Sequence, residues 1–137
     1  MGGRVTRESI PHLGRFQAME VQIFGVRKSA ATRAALRFFA ERRIKTHLVD
    51  FDVRGPSLGE LRRFAQRFGV RSLVDAESPW YAELGLGAAS YSDDRWLTKL
   101  VDQPRLLRMP LVRWQQRLTV GPDDATWRQW YELARPS

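Results

Sequence analysis

Apolar and polar positions alternate over two short stretches in the first half of the chain. Val21-Gln22-Ile23-Phe24 and Thr46-His47-Leu48-Val49-Asp50-Phe51 are rich in β-branched and large apolar residues and read as strands. Between them Leu36, Phe39 and Ala40 recur at helical spacing, with Arg33 and Arg37 on another face. Gly25 ends the first strand. Ser29 fits the N-cap of the helix, because its hydroxyl can accept a hydrogen bond from a free first-turn amide. Arg42, Arg43 and Lys45 follow at the helix end, where its dipole favours cations.

Past the second strand, "VRGPSLGEL" is a turn leading into a helix. Ser57 and Glu60 form the S-x-x-E capping box, Leu61, Phe64, Ala65 and Phe68 make a buried stripe, and Gly69 stops the helix. Short helices are expected over 70–75 and 80–84. Ser92 caps another helix, with Asp93 and Asp94 in its first turn and Trp96, Leu97, Leu100 and Val101 facing inward. Pro104 breaks it. Leu111–Trp114 and Arg117–Val120 are two strands close enough for a tight hairpin. Gly121-Pro122-Asp123 then opens a last amphipathic helix, with Trp127, Trp130, Tyr131 and Leu133 for packing.

This order implies an α/β fold. The opening strand–helix–strand predicts a right-handed crossover between parallel strands. The later pair predicts an antiparallel ribbon. Together they make a four-stranded mixed sheet with helices on both faces and a helical insertion between strands 2 and 3. The 137 residues suit one domain. Residues 1–19, with Gly2, Gly3, Pro11 and Gly14 and little periodicity, read as a flexible leader, so the domain spans 20–134.

Composition narrows the chemistry. Hydrophobic residues make up 43%, enough for a core. No run approaches the ~18 apolar residues of a membrane span, and the N-terminus lacks the apolar middle of a signal peptide, so a soluble, cytoplasmic protein is expected. The chain contains no cysteine, which excludes its own disulfides, thiolate catalysis and cysteine metal sites. His12 and His47 are the only histidines, and no His/Asp/Glu cluster has metal-ligand spacing. The formal charge is +8, and of 23 basic residues only Lys28, Lys45 and Lys99 are lysines. Such a balance favours acidic partners, although the charges are spread along the chain rather than massed in one block. Trp80, Tyr81, Trp96, Trp114, Trp127, Trp130 and Tyr131 could stack on bases if exposed beside arginines, but their spacing places most of them in the core.

The stretch "FGVRKSAATRAA", 24–35, raises the sharpest functional question. Arg27, Lys28, the Ser29 hydroxyl and the free amides of the first turn all favour an anion, with Thr32 and Arg33 available one turn on. The same residues equally describe a plain helix start, in which Ser29 caps and the cations are solvated. Ser29 as a nucleophile would need a general base, for which His47, on the second strand, is the sole candidate, and no elbow motif accompanies it.

In this setting the stretch resembles the reactive loop of the ArsC/Spx/YffB family, the arsenate-reductase-like branch of thioredoxin-fold proteins. The signature Y-G-[IV]-[KR]-x-C-x-x-x-[KR]-x-A is matched by Phe24, Gly25, Val26, Arg27, Arg33 and Ala35. "LGEL", "WYAELGL", "SDDRWLTKLVDQPRLLRMPLV" and "GPDDATW" are similar to further family segments, in order, over residues 20–133. The resemblance implies a thioredoxin-like fold and a cis bond before Pro110, with Met109 and Pro110 facing the loop. It places the family's nucleophilic cysteine at Ser29 and the second cysteine of Spx-type switches at Thr32. The three oxyanion-holding arginines of arsenate reductases fall on Met109, Asp75, and Val120 or Gly121, none of them arginine.

The reading that follows is a cysteine-free member of the family, catalytically inactive in thiol chemistry. It would serve as a binding or regulatory module, with an anion or glutathione-like site built from Arg27, Lys28, Ser29, Thr32, Arg33, Met109 and Pro110. Glutathione is the one cofactor this implies. A second reading is a glutathione-dependent transferase or reductase-type enzyme whose Ser29 stabilises a thiolate supplied by the ligand. A third, implied by resemblance to Spx, is contact with RNA polymerase or nucleic acid through the basic surface.

Overall fold

A computed structural model describes residues 19–135. Its sheet begins with β1 (Glu20–Gly25), crosses through α1 (Ala30–Glu41) and returns as β2 (Lys45–Asp50). There follow α2 (Leu58–Phe68), the short α3 (Pro79–Glu83) and α4 (Asp93–Asp102), joined by 3₁₀ turns at Val70–Leu73, Leu86–Ala88 and Pro104–Leu106. The ribbon β3 (Leu111–Trp114) and β4 (Arg117–Val120) leads into α5 (Asp124–Ala134). The strand order is β2-β1-β3-β4. β1 and β2 are parallel, with Gln22 opposite His47, while β3 runs antiparallel to both β1 and β4.

Side-chain alternation along β1 divides the core into two layers. Val21 and Ile23 face α1 and α5, packing with Ala35, Phe38, Phe39, Trp127 and Trp130. Phe24 joins the opposite layer, where Leu61 and Phe64 of α2 meet Trp96 and Leu100 of α4. The expected helical insertion therefore supplies one whole face of the sheet. The leader expected over 1–19 lies outside the described residues except for Met19, which is buried in the α1–α5 layer.

The helix ends follow from their capping side chains. Ser29 Oγ accepts from Thr32 N, Ser57 and Glu60 complete their capping box, Ser92 Oγ accepts from Arg95 N, and Asp123 accepts from Thr126 N. Each such cap is worth about 1 kcal/mol. Gly69, at φ 84°, ends α2 in a conformation that costs a side-chain-bearing residue strain.

Several expected faces shift. The buried stripe of α1 is Thr32, Ala35, Phe38 and Phe39, and Ala40 is exposed, because the sheet takes the two phenylalanines on one side of the helix axis. The sequence pattern predicts packing for Leu133, yet it is 62% exposed; Trp127, Trp130 and Ala134 already fill the sheet-facing side of α5. Phe68, at the end of α2, remains 36% exposed. Among the described residues no helix is long and apolar enough to cross a membrane.

Candidate functional site

The turn after β1 is held from inside and from below. Ser29 N donates to Val26 O at 3.1 Å, closing the turn. The Arg33 guanidinium reaches back from α1 and donates through Nη1 to Arg27 O at 2.8 Å and Lys28 O at 2.9 Å. Thr32 is fully buried and lies directly beneath Gly25. A Cβ at residue 25 would collide with Thr32 Oγ1, so glycine is required by close approach. Phe51 N donates to Gly25 O at 2.9 Å and ties the end of β2 to the same point.

A cleft of about 510 Å³ opens above this turn. Val26, Lys28, Ser29, Asp52 and Met109 line it. Pro79, Trp80 and Arg105 line it as well. The Arg105 guanidinium sits over the Trp80 ring, 4.7 Å from its centroid. Met109–Pro110 is a cis peptide bond, as the resemblance implied. Pro110 is itself buried, and its carbonyl accepts from Gly121 N at 2.8 Å.

The seven residues singled out from the sequence thus separate. Lys28, Ser29 and Met109 share the cleft, and Pro110 is buried and does not line it. Arg27 turns the other way, to Asp50 at 3.9 Å beside β2. Arg33 serves the turn's carbonyls, and Thr32 is interior with no hydrogen-bond partner for its hydroxyl. Trp80, Arg105 and Asp52 belong to the cleft and were not singled out for it. Their signal in the sequence is faint: α3 is five residues long, starts with proline at N1, and buries none of its side chains, so Trp80 has no core to enter. Trp96, Trp114, Trp127 and Trp130 are all buried, as their spacing suggests.

The arrangement combines two cations, one carboxylate, a hydroxyl at a helix N-terminus and an aromatic wall. No sulfur nucleophile stands in it, since the chain has no cysteine. Asp75, at one family arginine position, uses its carboxylate to accept from Glu77 N at 3.0 Å. Arg108 precedes Met109 and is directed toward the carbonyls of Ser72 and Val74, away from the cleft.

A β1-α1-β2 crossover joined to an antiparallel ribbon, with a cis-proline before β3 and a capped helix opposite it, defines a thioredoxin-like protein. The ArsC family model matches residues 24–130, and the chain belongs to the ArsC family. It is 30% identical over 105 residues to an arsenate reductase of Neisseria meningitidis, covering 74% of this chain and 90% of that protein. The solved structure of an arsenate reductase from Vibrio cholerae superposes with a TM-score of 0.71 at 25% identity, covering 81% of this chain and 97% of that one. The YFFB protein superposes with a TM-score of 0.74 at 15% identity, covering 80% and 96%.

Proposed function

We propose that this ArsC-family protein performs no thiol chemistry of its own and binds a zwitterionic, carboxylate-bearing peptide of the glutathione class in the Lys28–Arg105 cleft. The observation that carries this reading is the mixed charge of the cleft. Lys28, Arg105 and Asp52 all line it. Two cations suit two carboxylates, and one aspartate suits an ammonium group. A simple oxyanion such as arsenate has no use for Asp52. Ser29 supports the reading from below: its hydroxyl oxygen caps α1 through Thr32 N at 3.1 Å. A hydroxyl there lacks the accessible anion that lets a thiol attack a disulfide.

Titration calorimetry with reduced glutathione and with sulfate tests it. Glutathione should bind more tightly than sulfate. Lys28→Ala/Arg105→Ala should weaken it about tenfold, the loss expected for two partly exposed charge contacts. Arg27→Ala, on the far side of the turn, should leave affinity unchanged. Equal loss in Arg27→Ala, or no loss in the double variant, would remove the site from this cleft.

A second reading has one observation in its favour, the placement of Ser29 in the cleft at the N-terminus of α1. A glutathione thiolate held there could attack an electrophilic carbon, form a C–S bond and expel a leaving anion. Conjugation of glutathione to chlorodinitrobenzene, lost in Ser29→Ala, would mark a transferase; absent turnover leaves the binding module.

A further inference from the structure

The sheet terminates at β4, and there a strand with an open side is ringed by cations. In an antiparallel ribbon, bonded and non-bonded residue pairs alternate. Gly121 N donates to Pro110 O, and the register places Val120 opposite Leu111 and Leu118 opposite Arg113. Alternation from that bond assigns the β3–β4 hydrogen bonds to Thr119 and Arg117. It turns the amide and carbonyl of Leu118 and Val120 to the open side. Among the described residues no other strand pairs with β4 there.

Two depressions, of about 300 and 450 Å³, run along this open side and share Arg67 and Leu118. Arg63 lines the first, and Phe68 and Arg108 the second. Among the described residues Arg63, Arg67 and Arg108 take part in no ion pair. The Arg108 guanidinium makes 3.4 Å contacts to the Ser72 and Val74 carbonyls. One carboxylate lines the second depression, Asp123, and its Oδ1 accepts from Thr126 N at 3.2 Å.

Unpaired backbone groups recruit another strand, and lysines or arginines beside them select which strand. We propose that β4 is a docking edge for an acidic, extended segment of a partner protein. The segment adds as a fifth strand, and alternate carboxylates, about 7 Å apart along it, meet Arg63, Arg67 and Arg108. The apolar side chains between them turn to the other face of the added strand, the side of Thr119 and α5. Charge decides the occupant. A second copy of this chain would bring the same arginines to both sides of the junction. Residues 1–18 carry Arg4, Arg7 and Arg15 against Glu8 alone, so they do not complement the edge either. This surface is separate from the Ser29 cleft and does not depend on the reading proposed for it.

Fluorescence anisotropy with a labelled seven-residue peptide of alternating Glu and Val tests the proposal on the full chain. The acidic peptide should bind, its Lys/Val counterpart should not, and methylation of alternate peptide amides should abolish binding. Arg63→Glu/Arg67→Glu should weaken binding about tenfold. Both side chains are exposed, and a thermal melt checks that the variant remains folded. No binding, equal binding of the methylated peptide, or undiminished binding to the variant would each overturn the proposal. So would loss of binding in Lys28→Ala/Arg105→Ala, which would locate the peptide in the cleft. A dimer of the free protein, seen by sedimentation and dissolved by Arg63→Glu/Arg67→Glu, would assign the edge to self-association instead.

Discussion

At β2, the outer strand on one side of the sheet, Arg27 and Arg54 each stand beside a carboxylate, and Lys45 lies opposite Glu20 in the strand register. Arg27 is 3.9 Å from Asp50, His47 lies 2.7 Å from Glu20, and Arg54 reaches Glu60 at 3.7 Å. At β4, the outer strand on the other side, Arg63, Arg67 and Arg108 have no such partner among the described residues. The depression along β2 is the larger, about 710 Å³ against 450 and 300 Å³. Size therefore does not distinguish the edges; neutralisation does. A chain of net charge +8 has an excess of cations somewhere, and here part of that excess is concentrated beside one open strand.

The comparison can be broken most forcefully at the attachment of β4. Trp127 Nε1 donates to Thr119 Oγ1 at 2.8 Å, and both residues are buried. Thr119→Val leaves the indole N–H without an acceptor and should cost about 1–3 kcal/mol in urea denaturation. A negligible loss would mean that β4 is not anchored from its inner face, and a loosely held strand makes a poor docking edge.

A smaller effect should convert one edge toward the other. Asp50→Ala/Glu60→Gln releases Arg27 and Arg54, while glutamine preserves the capping box at Ser57. The alternating Glu/Val peptide should then bind the variant with a roughly threefold gain, the scale of exposed ion pairs. Unchanged binding would show that pairing is not what separates β2 from β4. The smallest effect is at the His47–Glu20 pair, which is exposed. The Glu20 carboxyl is held below the usual carboxylate range, first by its hydrogen bond to His47 and next by the charge of Lys45. Because its folded pKa lies below the unfolded value, its contribution is present above the unfolded pKa and is lost as pH falls through the folded one. An NMR titration should find the Glu20 midpoint moved upward in His47→Ala; a fixed midpoint would remove the pair from the account of the β2 edge.

Local signals carried the fold well. The bounds of β3 and β4, the Ser57–Glu60 box and the Ser29 and Ser92 caps were all legible, because each depends on residues within a few positions of one another. Helix faces were less so. On α1 the spacing of Leu36, Phe39 and Ala40 looked sufficient, but Phe38 takes the buried place instead of Ala40 by packing against Trp127 of α5 on the same face of the sheet, 5.6 Å between ring centroids. The cleft was legible only in part. Lys28 and Ser29 are adjacent in sequence, whereas Trp80 and Arg105 arrive from two separate turns of the insertion, and nothing local announces that they meet. Arg27 and Arg33 illustrate the converse: neighbours in the chain, they leave the cleft because Asp50 and two carbonyl oxygens lie closer.

The backward reach of Arg33 has an electrostatic result for whatever approaches the turn. Carbonyl oxygens are the negative ends of peptide dipoles, and two of them, at residues 27 and 28, are drawn onto a single guanidinium. The mouth of the cleft is thereby relieved of lone pairs that would repel a carboxylate. An arginine committed to two backbone carbonyls thus shapes the potential around the turn.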